Sequence, residues 1–182
     1  MTIRHVADFS LARREEFVRL LRLVPAGVDL ADTDAEQLEA LIDLCMFGFP
    51  GVWGPKVTKM AALFRPRIVP ILDGYVAAAF GYQRDAFSVG GTLRRDRIRR
   101  VVEELRDILS RYRADLAELR AQVAESIPEI ELISDVRILD IVIWTTQDDS
   151  ISRPRKPVNA WLDAVTGERV SVQDVRPVRV AT

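Results

Sequence analysis

Residues 46–81 read MFGFPGVWGPKVTKMAALFRPRIVPILDGYVAAAFG, and this stretch decides the fold that the sequence predicts. A glycine-containing turn, Gly51 to Gly54, separates two segments whose apolar residues repeat at the spacing of an amphipathic helix. The two apolar stripes are Leu38, Leu41, Ile42 and Cys45 before the turn, and Val57, Met60, Ala61 and Phe64 after it. The pattern predicts two helices, over 34–47 and 55–64, joined at the turn.

The residues that flank these segments are typical of helix ends. Thr33 with Glu36 three residues later predicts a capping box at the start of the first helix. Pro55 occupies the first position of the second helix, where a missing N–H is tolerated. Asp73 precedes the apolar run that begins at Gly74, so it is predicted to cap a third, short helix.

The turn also has the properties of an anion site. Glycines let the chain bend sharply, and free amides at a helix start, with the positive end of the helix dipole, attract phosphate. Lys56, Lys59, Arg65 and Arg67 add positive charge, with no acidic residue between positions 48 and 67. We therefore expect nucleic-acid phosphates to contact Gly51, Val52, Trp53, Gly54, Lys56 and Lys59.

This arrangement resembles the helix-hairpin-helix module of the DNA glycosylase superfamily, although Trp53 makes the turn one residue longer than the usual Pro-Gly-apolar-Gly. Residues 65–73 (RPRIVPILD) and 137–144 (RILDIVIW) resemble uncharacterised bacterial proteins that look like remote members of that fold. The resemblance covers about residues 34–146. It implies Asp73 and Lys56 as the catalytic pair of an active enzyme.

The residues themselves leave other roles open. Asp73 can serve only as a helix cap, and Lys56 can be a solvated charge that touches phosphate. Three functions therefore remain: a nucleic-acid-binding protein of unassigned activity, a base-excision DNA glycosylase that uses Asp73 and Lys56, and a non-enzymatic partner-binding or regulatory module. The first is our prediction, with weak, phosphate-mediated binding to DNA.

Composition limits the class of protein. The chain has 182 residues, 48% of them hydrophobic, which is enough for one substantial core. We predict a single all-α domain over 1–146. A net charge of −1 argues against indiscriminate coating of DNA. A second basic cluster lies further along the chain, at Arg94, Arg95, Arg97, Arg99 and Arg100.

Cys45 is the only cysteine and His5 the only histidine, which argues against a disulfide, a metal centre or a cofactor held by such side chains. Cys45 lies on an apolar stripe, so we expect a buried thiol. The sequence contains no apolar run long enough to span a bilayer, and a cytoplasmic location is expected.

The remaining sequence predicts further helices. One covers 9–24, and the periodic stretch 93–126 is one long helix or two helices with a bend near Ser110. A last, mostly apolar helix contains Asp140, for which a salt bridge to an arginine such as Arg137 or Arg67 is favoured.

From residue 147 the composition changes to that of a linker and tail. Arg153-Pro154-Arg155-Lys156-Pro157 is typical of an exposed connection, and Thr166-Gly167-Glu168 is typical of a β-hairpin turn. A small C-terminal hairpin or extended tail is therefore predicted over 147–182. This tail, or the 93–126 helix, offers a surface for a homodimer.

Overall fold

The computed structural model describes residues 11–49, 52–88 and 92–147, and this part of the chain is all-α. It holds two short 3-10 helices, Leu30–Asp32 and Pro128–Leu132. Its seven α-helices are α1 Leu11–Leu23, α2 Ala35–Met46, α3 Pro55–Phe64, α4 Gly74–Ala79, α5 Thr92–Arg111, α6 Arg113–Ala124 and α7 Asp135–Gln147. The prediction of a mostly helical protein is confirmed.

The two helices beside the turn occupy the predicted segments, but the cap of α2 differs from the prediction. Asp34, rather than Thr33, is the N-cap: its Oδ1 accepts from the Gln37 amide at 2.8 Å, and its own amide donates to Gln37 Oε1 at 3.2 Å. The Thr33 hydroxyl instead donates to the Leu30 carbonyl at 2.9 Å, closing the 3-10 turn before the helix. The predicted capping box therefore forms one residue later.

The long periodic stretch forms two helices. The chain leaves helical geometry only at Tyr112, between α5 and α6 and two residues beyond the predicted bend. Ser110 Oγ donates to the Arg106 carbonyl within α5 at 2.9 Å. Tyr112 and Leu116 are buried, so the break lets both helices follow the core.

Core packing centres on α2, α5 and α7. In α7, Ile138, Leu139, Val142 and Ile143 are buried while Ile141 and Trp144 are half exposed, so this helix is less completely enclosed than its composition predicts. Cys45 in α2 is fully buried, as expected, and burial raises the pKa of its thiol to about 12.

Arg94, in the first turn of α5, is a buried anchor. Its guanidinium donates to three carbonyls: Phe87 at 2.7 Å, Met46 at 3.1 Å and Cys45 at 3.1 Å. The last two carbonyls end α2, where a positive charge is favoured by the helix dipole. Desolvation lowers the pKa of Arg94.

Acidic side chains of α2 neutralise the neighbouring arginines of α5. Glu39 forms ion pairs with Arg95 and Arg99, and Asp43 pairs with Arg95. Of the expected second basic cluster, Arg94, Arg95 and Arg99 are therefore engaged in holding α2 against α5, while Arg100 is exposed.

Several predicted features lie outside the described residues. They include the start of the first helix, His5, Gly51 of the turn, the linker and the C-terminal hairpin or tail. Within the described ranges, no helix combines the length and apolar character needed to cross a membrane.

Candidate nucleic-acid interface

The described ends of the turn are held by backbone hydrogen bonds. Phe49 and Val52 each donate an amide to the other's carbonyl, at 2.9 and 2.8 Å. Val52 is buried, so its side chain belongs to the core and leaves only backbone atoms to any ligand.

Gly54 is required by contacts within the chain. Its φ is +45°, and a Cβ built on it would lie 2.4 Å from the Phe87 carbonyl oxygen. The close approach that this glycine permits is therefore made to the loop before α5.

The start of α3 exposes fewer amide donors than we expected. Pro55 has no N–H, and the Lys56 amide donates to the Trp53 carbonyl at 3.3 Å. The Thr58 amide makes the first helical hydrogen bond, to Gly54 at 3.0 Å. Side chains, more than bare amides, must then provide the attraction for a phosphate.

Two lysines lie on the exposed stripe of α3, followed by Leu63 one turn later. Lys59 Nζ is 3.4 Å from Asp73 Oδ2, while Lys56 makes no ion pair within the described part of the chain. The structure thus places Lys59, and not Lys56, beside the aspartate that the resemblance pairs with a lysine.

The other two cations of this segment are engaged elsewhere. Arg67 forms an ion pair with Asp29, and Arg65 donates from Nε to the Val24 carbonyl at 2.7 Å. Carbonyl groups do not neutralise a guanidinium, so Lys56 and Arg65 are the cations of this segment that have no ion pair among the described residues, while Lys59 is paired with Asp73.

Asp73 is 5% exposed and caps α4, as predicted. Its Oδ1 accepts from the amides of Tyr75 at 3.0 Å and Val76 at 3.3 Å, and its Oδ2 accepts from Trp144 Nε1 at 3.1 Å. The buried Thr58 of α3 connects this helix to the segment before Asp73, because its Oγ1 accepts a hydrogen bond from the Leu72 amide at 3.2 Å. Both oxygens of Asp73 therefore have partners.

Trp144, which our sequence reasoning left out of the site, completes this surface. Trp144 is 52% exposed, the Tyr75 ring centroid is 5.3 Å from the centroid of its indole, and Lys59 Nζ is 5.9 Å from that centroid. Arg84 stands 5.1 Å from the centroid of the Tyr75 ring. The sequence did contain a signal for Trp144: this tryptophan follows Arg137 and Asp140 at helical spacing, on the polar side of an otherwise apolar helix.

Trp53, two residues before α3, is a second tryptophan that is about half exposed, at 48%. Its indole lies over Gly48, where a Cβ would be 2.1 Å from the ring. The additional residue of the turn therefore presents an indole at the surface, held against a glycine.

Beneath the surface, Asp140 is buried in α7. Arg137 Nη1 lies 2.7 Å from its Oδ2, as predicted, and the Ile71 amide donates to the same oxygen at 3.4 Å. Burial raises the pKa of Asp140 to about 7, while the Arg137 charge acts in the opposite direction.

Two cavities lie away from this surface. One of about 40 Å³ is lined by Asp29, Arg67 and Arg113 among others, and an open depression of about 420 Å³ lies along α1. Neither is lined by Asp73 or Lys56. Among the described residues, no group of three His, Cys, Asp or Glu side chains is placed to hold a metal ion.

Fold and site together define an all-α domain with a surface of lysines and half-exposed aromatic rings. The chain belongs to the family described as "Family of unknown function (DUF6308)", whose model matches residues 3–147. No curated protein and no solved structure matches the chain.

Proposed function

We propose that this protein binds nucleic acid through the exposed face of α3. One observation carries the proposal: Lys56 and Lys59 share an exposed stripe, with the half-exposed rings of Trp53 at its start and Trp144 beside Lys59. Lysines that contact phosphates, together with aromatic rings that contact bases, are the usual components of a sequence-tolerant nucleic-acid surface.

The distribution of acidic residues supports the same function. Helices α3 and α4 contain no Asp or Glu. In α7, Asp135 pairs with Arg120 and Asp140 with Arg137, so their charges are compensated. The carboxylate that pairs with Lys59 is the buried Asp73, which offsets much of the charge of this lysine.

The turn has an indirect role in this proposal. The buried Val52 and Gly54 fix where α3 begins, and this sets the positions of Trp53 and Lys56. A helix-hairpin-helix contact in the strict sense would also use backbone amides from Gly51 to Gly54. In our proposal the side chains of Trp53, Lys56 and Lys59 make most of the contact.

Salt dependence of binding tests the proposal. In fluorescence anisotropy with a labelled DNA oligonucleotide, log affinity should fall linearly with log salt, and Lys56→Gln should reduce the slope by about one unit. Lys59→Gln should reduce it less, because Asp73 already compensates that charge. Lys56→Arg keeps the charge and should bind as wild type does.

A matched control removes an arginine from another helix. Arg100 of α5 is exposed, and Arg100→Gln should leave the slope unchanged if α3 is the contact surface. Absence of binding at low salt, or equal slopes for Lys56→Gln and wild type, would contradict the proposal.

A second candidate function is base excision, favoured by the contact between Asp73 and a lysine. In this candidate the nearest amine to the carboxylate is Lys59, at 3.4 Å, and Lys56 lies one turn earlier in α3. Asp73→Asn should abolish release of damaged bases from an oligonucleotide panel while the fold survives. Equal release by wild type and variant, or release by neither, would leave Asp73 as a cap only.

A third candidate is a partner-binding module, favoured by two apolar side chains at the end of α3. Leu63 is 80% exposed, and Phe64 is more than half exposed. Such a protein would show no salt-dependent DNA binding, so the anisotropy series separates it from the first proposal.

A further inference from the structure

We infer that the nucleic acid bound is single-stranded, with one base stacked on the exposed indole of Trp144. This inference rests on the proposed function and adds the class of ligand. It also gives Trp144, which lies outside the turn, the specific role of a platform for one base.

The Trp144 ring is held in one orientation before any ligand arrives. Its Nε1 donates to Asp73 Oδ2 at 3.1 Å, and Tyr75 contacts it with a centroid distance of 5.3 Å and an interplanar angle of 59°. A ring fixed in this way loses little side-chain entropy on binding, which favours affinity. Its polar atom is satisfied inside the protein while Trp144 stays 52% exposed, and a base that contacts the exposed part of the ring would share it with Lys59, whose Nζ lies over the ring.

Charge around the ring distinguishes a nucleotide from an apolar protein segment. Lys59 Nζ is 5.9 Å from the Trp144 centroid, and Lys56 lies on the same face of α3 one turn away. A base on the indole would place its neighbouring phosphates near these ammonium groups. An apolar peptide on the same ring would instead bring no charge to them.

The preference for a single-stranded ligand follows from the geometry of stacking. In a duplex both faces of each internal base are covered by neighbouring bases, so a protein ring gains a stacking contact only with an unstacked base. Trp144 lies beside Lys59, and Trp53, two residues before α3, is a second half-exposed tryptophan whose indole lies over Gly48. A flexible strand can place bases on such rings while its phosphates follow α3.

Three ligands of the same length test the inference: a single-stranded DNA oligonucleotide, its duplex, and a single strand in which every base is replaced by an abasic site. At fixed low salt, wild type should bind the single strand more tightly than either of the others. Trp144→Leu should lose roughly 5- to 150-fold in affinity for the single strand, the range expected for one stacked base, and little for the abasic strand.

Two further variants control the experiment. Trp144→Phe keeps an aromatic ring and should retain most of the preference for bases, even though the hydrogen bond to Asp73 is lost. Ile141→Ala removes a half-exposed apolar side chain from the same helix and should leave all three affinities unchanged. Melting curves verify that each variant is folded, and Trp144→Phe keeps the test valid if Trp144→Leu does not fold.

The outcomes separate the inference from the proposed function. Salt-dependent binding of equal strength to all three ligands would overturn single-strand stacking and leave phosphate binding by α3 intact. Loss of affinity in Ile141→Ala as large as in Trp144→Leu would overturn it too, because the contact would then be generally apolar. Failure to bind any of the ligands at low salt would overturn both.

Discussion

The carbonyl oxygen of Phe87 accepts a hydrogen bond from Arg94 Nε at 2.7 Å, and the same oxygen would be the atom nearest to a Cβ placed on Gly54. One backbone group therefore links the turn before α3 with the start of α5. Since Arg94 also bonds the last carbonyls of α2, the turn is fixed from both sides. The position of Lys56, two residues after Gly54, follows from these contacts.

Gly54→Ala should destabilise the protein by at least about 2 kcal/mol, because a side chain at positive φ is strained and the Cβ would collide with a backbone oxygen. Two other glycines separate these causes. Gly81 has a positive φ, but a Cβ there would meet no atom within 4 Å, whereas at Gly27 a Cβ would cause neither strain nor a collision. Urea denaturation should rank the losses Gly54 first, Gly81 second and Gly27 near zero; any other order contradicts the account.

Arg94→Met should lower the free energy of unfolding by about 2–4 kcal/mol, since three carbonyls lose a charged donor in a buried position. Arg95→Met, one residue later, breaks partly exposed ion pairs to Glu39 and Asp43 and should cost at most about 1 kcal/mol. Chemical denaturation of the two variants measures the difference. Similar losses of stability in the two variants would contradict a larger contribution from the buried Arg94.

Asp73→Ala should cost about 2 kcal/mol, because it removes the cap of α4 and the acceptor of the Trp144 indole. Asp73→Asn should cost less, since asparagine caps a helix nearly as well. Asp34→Ala removes an exposed cap that makes no contact with a tryptophan, so about 1 kcal/mol is expected there. Thermal melts of the three variants give the ranking.

Asp140 predicts a pH dependence of stability. Its pKa is raised from 3.8 to about 7 in the folded protein by burial, so the folded state binds more protons than the unfolded state between these values. Stability from this group is therefore fully present below pH 4 and is lost as the pH rises to about 7. In that range this group lowers the free energy of unfolding by up to about 1.4 kcal/mol for each unit that the pH rises.

Denaturation of wild type and Asp140→Asn across pH 4–8 measures this contribution. The variant cannot ionise, so its stability should fall less steeply from pH 4 to 7 than that of wild type. Parallel curves for the two proteins would contradict a raised pKa at Asp140.

Local patterns in the sequence were sufficient to predict most of the helices and several contacts of the candidate site. The apolar stripes located α2 and α3 because both helices bury one face, and the i,i+3 spacing of Arg137 and Asp140 within one helix made their ion pair predictable. The role of Asp73 as a cap followed from the apolar run after it. These features depend on residues that are neighbours along the chain.

Contacts between distant segments were harder to predict. Arg94 and Arg95 are adjacent in a basic run, yet only the first is buried, because the carbonyls that it meets belong to α2 and to the loop at Phe87. The choice between Lys56 and Lys59 as the partner of Asp73 similarly depends on how α3 rotates against the segment before α4. Helical spacing alone does not fix that rotation.

The anchoring of the turn by Arg94 has a consequence for the order of folding. During synthesis the turn emerges about forty residues before Arg94, so α2 and α3 leave the ribosome without the donor that later satisfies the end of α2. Native geometry at Lys56 must then wait for a long-range contact, which slows its formation relative to the helices themselves. A nascent chain truncated before α5 should therefore contain helical segments but lack the surface that we assign to nucleic acid.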